Sequence, residues 1–142
     1  MARDCSLAAA MAVIGERWAL LALREVFLGT RRFDAIAENT GAPRDVLSSR
    51  LKSLVEAGVL ERVPYQERPL RHEYRLTEAG LDLRDTLLVL TRWGEQWLRP
   101  GAVPEFEHKG CGHRLVPVVT CADCGETLGP HDVRARRPAL TH

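Results

Sequence analysis

The sequence predicts a mainly α-helical chain with one β-hairpin after its central helix and a small β appendage near its C-terminal end. Three observations carry this reading. Apolar residues recur at helical spacing through most of the first 57 positions and again between 78 and 98. Two strand-like stretches, residues 59–66 and 72–76, flank a short polar loop. Three of the four cysteines crowd into the last third of the chain.

The bulk numbers set limits. At 142 residues the chain allows one domain, or one small domain with an appendage. Hydrophobic content of 45% and charged content of 27% suit a packed core. Twenty basic against 19 acidic residues leave a net charge of +1, so binding to nucleic acid must rest on a local patch. No apolar run approaches the roughly 18 residues of a bilayer span. LAAAMAVIG has the look of a leader segment, but Asp4 precedes it and the helical pattern of GERWALLALRE follows, so a cytoplasmic protein with no membrane partner is expected. The chain has no His-Glu hydrolase motif, Gly-rich phosphate loop or nucleophile elbow, which argues against an enzyme.

Along the chain, Ser6 is placed to cap a helix running to about Ile14, where Gly15 breaks the pattern. Glu16 to Leu28 reads as a second helix, with Trp18, Leu20, Leu21, Ala22, Val26 and Leu28 on its buried face. Arg31-Arg32-Phe33 is a basic link, and Asp34 is expected to cap a short helix closed by Gly41. Pro43 suits the first turn of the next helix, about 43–57, in which Leu47, Leu51, Leu54 and Val55 form one stripe. Residues 59–66 and 72–76 then form a hairpin, with Pro64 at an edge or bulge and Glu67 to Arg71 as its loop. Thr77 caps a long helix from Glu78 to about Leu98, ended by Pro100-Gly101.

Helix, turn, short helix, turn, longer helix and hairpin make the winged helix-turn-helix order. A helix with small polar and basic residues on its free side fits a DNA major groove, and arginines at a hairpin tip reach phosphates or a narrow minor groove. The plain alternatives are a solvated surface helix and a solvated turn. The stripe Leu83, Leu87, Leu90, Trp93 and Trp97 on the last helix either closes the chain's own core or packs against a second subunit.

The stretch DCSLAAAMAVIGERWALLALREVFLGTRRFDAIAENTG, followed by LSSRLKSLVEAGVLERV and EYRLTEAG, resembles the HxlR-type winged helix-turn-helix transcriptional regulators of bacteria. The most specific elements are Cys5, the block Ile14 to Trp18, and the link Arg31 to Asp34, and the likeness covers about residues 4–99. The resemblance implies a homodimer on an inverted-repeat operator in double-stranded DNA, most readily as a repressor. It puts Arg44, Asp45, Ser48, Ser49 and Lys52 on the DNA-facing side of the recognition helix, and Arg68 and Arg71 on the wing. Arg50, nearer the side of the helix, serves a phosphate or a salt bridge. Ala42-Pro43 stands where the family often has a small polar cap. The resemblance also makes Cys5 an oxidant-sensor position, and a thiolate near a helix N-terminus is favoured; a space-filling cysteine is the alternative.

The sequence divides into a DNA-binding and dimerisation domain over residues 1–100, a zinc-ribbon-like segment over 105–133 and a flexible basic tail over 134–142. In the second, His108-Lys-Gly-Cys111-Gly and Cys121-Ala-Asp-Cys124-Gly share one shape, two ligand types three positions apart with glycine next. This pattern expects one structural zinc per chain on His108, Cys111, Cys121 and Cys124, with His113 as the rival fourth ligand and Leu115 to Thr120 as one hairpin strand. A metal-free redox pair at Cys121 and Cys124 is the other reading, and either this C-terminal site or Cys5 as the input would make the regulator a metal- or redox-responsive switch.

Overall fold

A computed structural model describes residues 4–101 and 105–136. Its elements run α1 (Ser6–Ile14), α2 (Arg17–Phe27), α3 (Phe33–Thr40), α4 (Arg44–Glu56), β1 (Leu60–Glu67), β2 (Leu70–Leu76), α5 (Glu78–Asp82) and α6 (Arg84–Trp97). The chain forms two compact units, one ending at Leu87 and one beginning at Leu88.

In the first unit α2, α3 and α4 enclose the core. Leu47, Leu51 and Leu54 of α4 are 0% exposed, as the i, i+4, i+7 spacing requires, and they share one cluster with Ala22, Leu23 and Val26 of α2 and Ile36 of α3. The buried face of α2 differs from the sequence expectation. Ala19, Leu23 and Glu25 are inside, whereas Leu28 is exposed, because the helix ends one residue before it. Glu25 is a buried carboxylate with partners on both oxygens. Arg24 donates to Oε1 from Nε at 3.2 Å and Nη2 at 3.0 Å, and Asn39 Nδ2 donates to Oε2 at 3.0 Å. Pairing is what makes such burial tolerable, and it ties the end of α3 to α2.

Two caps also differ. Cys5, not Ser6, precedes α1, its Sγ accepting from the Ala8 N–H at 3.4 Å. Arg32 stands at the N-cap of α3 with no side-chain bond, and Asp34 lies in the first turn. Its carboxylate faces away to Arg44.

β1 and β2 pair antiparallel from Leu60 with Leu76 outward, and the register slips between Pro64 and Gln66, leaving Tyr65 as the extra residue of a bulge. The hairpin loop is tighter than the sequence suggested. Glu67 still pairs with Leu70 and Gln66 with Arg71, so the turn is Arg68-Pro69, joined by a cis peptide bond, and Arg71 belongs to β2. The Arg31 link forms no strand but accepts one bond from the Tyr74 N–H at 2.7 Å.

The long last helix is broken. Thr77 does cap it, accepting from the Gly80 N–H at 3.1 Å, yet α5 stops at Asp82 and α6 begins at Arg84. Thr77 pins α5 to the base of the hairpin: its Oγ1 donates to the Gly58 carbonyl at 2.5 Å, with the Val59 carbonyl at 3.0 Å, and its N–H donates to the Val59 carbonyl at 3.2 Å. Leu83 N–H then bonds the Gly80 carbonyl at 3.2 Å, a tightened step between the two helices.

In the second unit, α6 is followed by two short turns rather than a regular ribbon. They are closed by isolated bridges, Glu107 with Arg114 and Thr120 with Thr127, and residues 115–119 connect them instead of forming a strand of one hairpin. The expected basic tail lies outside the described residues from 137 onward. Among the described residues no single helix is long and apolar enough to cross a membrane.

Gly80 offers a sharp test of the α5 seat. A Cβ there would lie 2.1 Å from the Val59 carbonyl oxygen. Gly80→Ala, which in an open helix gains up to about 1 kcal/mol, is expected here to lose about 1–3 kcal/mol of stability, read as a lower urea midpoint.

Candidate nucleic-acid interface

Burial of the leucine stripe decides what α4 shows to solvent. Arg44, Asp45, Ser48, Ser49 and Lys52 are all exposed, and they form the polar face that the spacing predicts. Arg50 is not part of it. Its Nε lies 3.1 Å from Glu16 Oε2, an ion contact across to the start of α2. The same carboxylate caps α2, accepting from the Trp18 N–H at 2.9 Å and the Ala19 N–H at 3.0 Å. Glu16 therefore couples the first turn of α2 to the flank of α4.

At the other end of α4, Arg44 is paired with Asp34 and lies over the Phe33 ring, 4.9 Å from its centroid. The hydrogen bond and charge of Arg44, with a smaller contribution from the Arg71 charge, hold the Asp34 carboxyl below the usual aspartate range. One carboxylate thus feels both the start of α4 and the wing. Around it opens a cleft of about 560 Å³ whose walls include Arg32, Phe33, Asp34, Arg62, Tyr65, Arg71 and His72.

Side chains within the cleft brace one another. Arg32 stacks over Tyr65 at 4.2 Å from the ring centroid, which gives the bulged residue a role, and Arg62 Nη2 approaches His72 Nδ1 at 3.2 Å. Gln66 Nε2 donates to the Arg68 carbonyl at 3.1 Å, shaping the tip. Arg68 and Arg71 are both exposed. Arg32 and Arg62 are the members that reading by element overlooked. The signal for Arg32 was the Arg31-Arg32-Phe33-Asp34 link itself; Arg62 depended on the strand register, which alternation alone leaves open by one residue.

Cys5 is exposed at the N-cap of α1. The proposed C-terminal ligands fall into two separate turns. Cys121 and Cys124 meet, and the Cys121 thiol is held below its ordinary value by N–H groups of Cys124 and Asp123 and by the Cys124 side chain. His108, Cys111 and His113 are exposed in the earlier turn. Among the described residues no three His, Cys, Asp or Glu side chains gather as a metal-holding group.

The HxlR-like helix-turn-helix family model matches residues 13–102. An uncharacterised HTH-type transcriptional regulator of Mycobacterium tuberculosis is 49% identical over 130 residues, covering 90% of this chain and 82% of that protein. Among solved structures, PA1607, described as a candidate transcription factor, superposes with a TM-score of 0.82 at 31% identity over 95% of this chain and 96% of its own. The reduced form of the transcriptional regulator YodB from Bacillus subtilis gives 0.57 at 29% identity, covering 70% of this chain and 100% of that one. The chain belongs to the HxlR-like helix-turn-helix family of transcriptional regulators.

The Asp34 pairing is directly measurable. Arg44→Ala is expected to return the Asp34 carboxyl, followed by NMR titration, toward the ordinary aspartate range. In the wild type the pair persists as pH falls through that range and is lost only below it.

Proposed function

We propose that this family member is a homodimeric, sequence-specific DNA-binding regulator, acting as a repressor in the cytoplasm on an inverted-repeat operator. The observation that carries the reading is that Asp34, paired with Arg44 of α4, lines one cleft with Arg71 of the wing. A carboxylate gripped by one guanidinium, with a second on the wall of the same cleft, stands where a backbone phosphate would be bound, and so supports reading the recognition helix and the wing as one basic surface. On it Arg44, Ser48, Ser49 and Lys52 face the major groove with Asp45 at their edge, and Arg68 and Arg71 take phosphate or minor groove. Arg50 acts through Glu16 to hold the angle of α4 rather than by touching DNA.

Dimerisation has its own support. Leu7 and Met11 of α1 are 68% and 46% exposed, and Leu90, Trp93 and Trp97 of α6 are 51%, 54% and 67% exposed. Apolar surface of this extent on two helices fits coverage by a second copy, which also supplies the two-fold axis that an inverted repeat needs.

Footprinting on the promoter of its own gene is expected to show a protected, near-palindromic site. Arg71→Ala should weaken specific and random duplexes alike and make the logarithmic salt slope shallower by about one. Arg50→Gln should leave that slope unchanged. An unprotected promoter together with salt-insensitive binding would overturn the reading.

A redox-responsive form of the same regulator has one observation in its favour, the exposed Cys5 sulfur bonded at a helix N-terminus. The expected result is that diamide or a quinone lowers operator affinity of the wild type and not of Cys5→Ser. Equal sensitivity in the two proteins would remove Cys5 from this role.

A further inference from the structure

Beyond DNA binding, the second unit carries a duplicated device. His108 and Cys121 stand thirteen positions apart, as do Cys111 and Cys124, and each bond of the first turn has its counterpart at that interval. The His108 N–H donates to the His113 carbonyl at 3.0 Å, and the Cys121 N–H donates to that of Glu126 at 2.8 Å. Gly112 N–H closes on the His108 carbonyl at 2.8 Å, and Gly125 N–H closes on that of Cys121 at 2.7 Å. The flanking bridges, Glu107 with Arg114 and Thr120 with Thr127, repeat the interval. Gly112 and Gly125 both have left-handed backbones, φ 72° and 78°, which other residues adopt only with strain.

Two chemically different segments thus fold into one turn whose first and fourth residues are metal-ligand types. We propose that His108, Cys111, Cys121 and Cys124 bind one structural zinc ion per chain, each turn supplying two ligands. Three thiolates and an imidazole are a closed four-ligand zinc set that leaves no position for substrate.

A second observation points the same way. Among the described residues from 105 to 136 not one is buried, and Val116, Val118 and Val119 are 61%, 62% and 53% exposed. A segment this short without a core needs another source of order, and a metal crosslink between two turns is the common one. The turns are formed, but their donors do not yet share a point. Cys111, Cys124 and His108 are exposed, so several staggered rotamers are open to each. The His108 ring lies folded over its own turn, its Cε1 3.0 Å from where a Gly110 Cβ would stand, which favours it over His113.

The test uses the full-length protein. Metal analysis after purification is expected to give about one zinc per chain, and cobalt exchanged into the site should show tetrahedral ligand-field bands with thiolate charge transfer. Cys111→Ser, Cys124→Ser and His108→Ala should each lose most of the zinc, whereas His113→Ala should keep it. Chelation of the wild type should open residues 105–136 to proteolysis while the first unit keeps its melting temperature, which separates metal loss from global misfolding. The assignment is overturned by well under one zinc per chain with no cobalt spectrum, by a zinc shared between two chains, by a Cys121–Cys124 disulfide in the freshly isolated protein, or by loss in His113→Ala with retention in His108→Ala.

Discussion

Burial of three leucines on one side of α4 is the constraint from which the rest of the first unit follows. Each is worth roughly 1.5–3 kcal/mol when taken out of water, and all three point at the same cluster on α2 and α3. No other rotation of α4 about its axis keeps them buried, so Ser48, Ser49 and Lys52 are forced to the outside. A paired carboxylate at Glu25 then links α3 to α2, and the shared carboxylate at Glu16 links α4 to α2. The polar face is therefore a by-product of the core, flanked by the ion contact of Arg50 with Glu16.

Charge in this protein is local. A net charge of +1 gives no long-range attraction to nucleic acid, yet Arg32, Arg62 and Arg71 line one cleft with a single aspartate among them. Asp34 neutralises Arg44 by direct pairing. Such an arrangement favours binding where geometry brings a phosphate to the cleft, and penalises loose electrostatic adsorption.

The two units are stabilised by different means. The first has a continuous apolar core from Ile14 to Leu60. From residue 105 onward the described chain has none, and what order it shows lies in backbone turns. The family match ends at residue 102, whereas a likeness over 130 residues to the mycobacterial relative cannot fit within that region and must run into the turns. The appendage is thus shared at least between those two chains.

Sequence by itself determined the element order as far as the hairpin, the leucine stripe, the Thr77 cap and the paired turns, because each depends on neighbours within a few positions. Tertiary contact decided what periodicity cannot see. Glu25 is buried because Arg24 and Asn39 meet it there; of the two partners open to Arg50, the fold supplies Glu16 for a salt bridge; and the last helix is interrupted where α5 sits on the hairpin base. The hairpin tip shrank to Arg68-Pro69 because register, set by pairing across strands, is not written in either strand alone. Local spacing fixed which residues share a face, and packing fixed what that face meets.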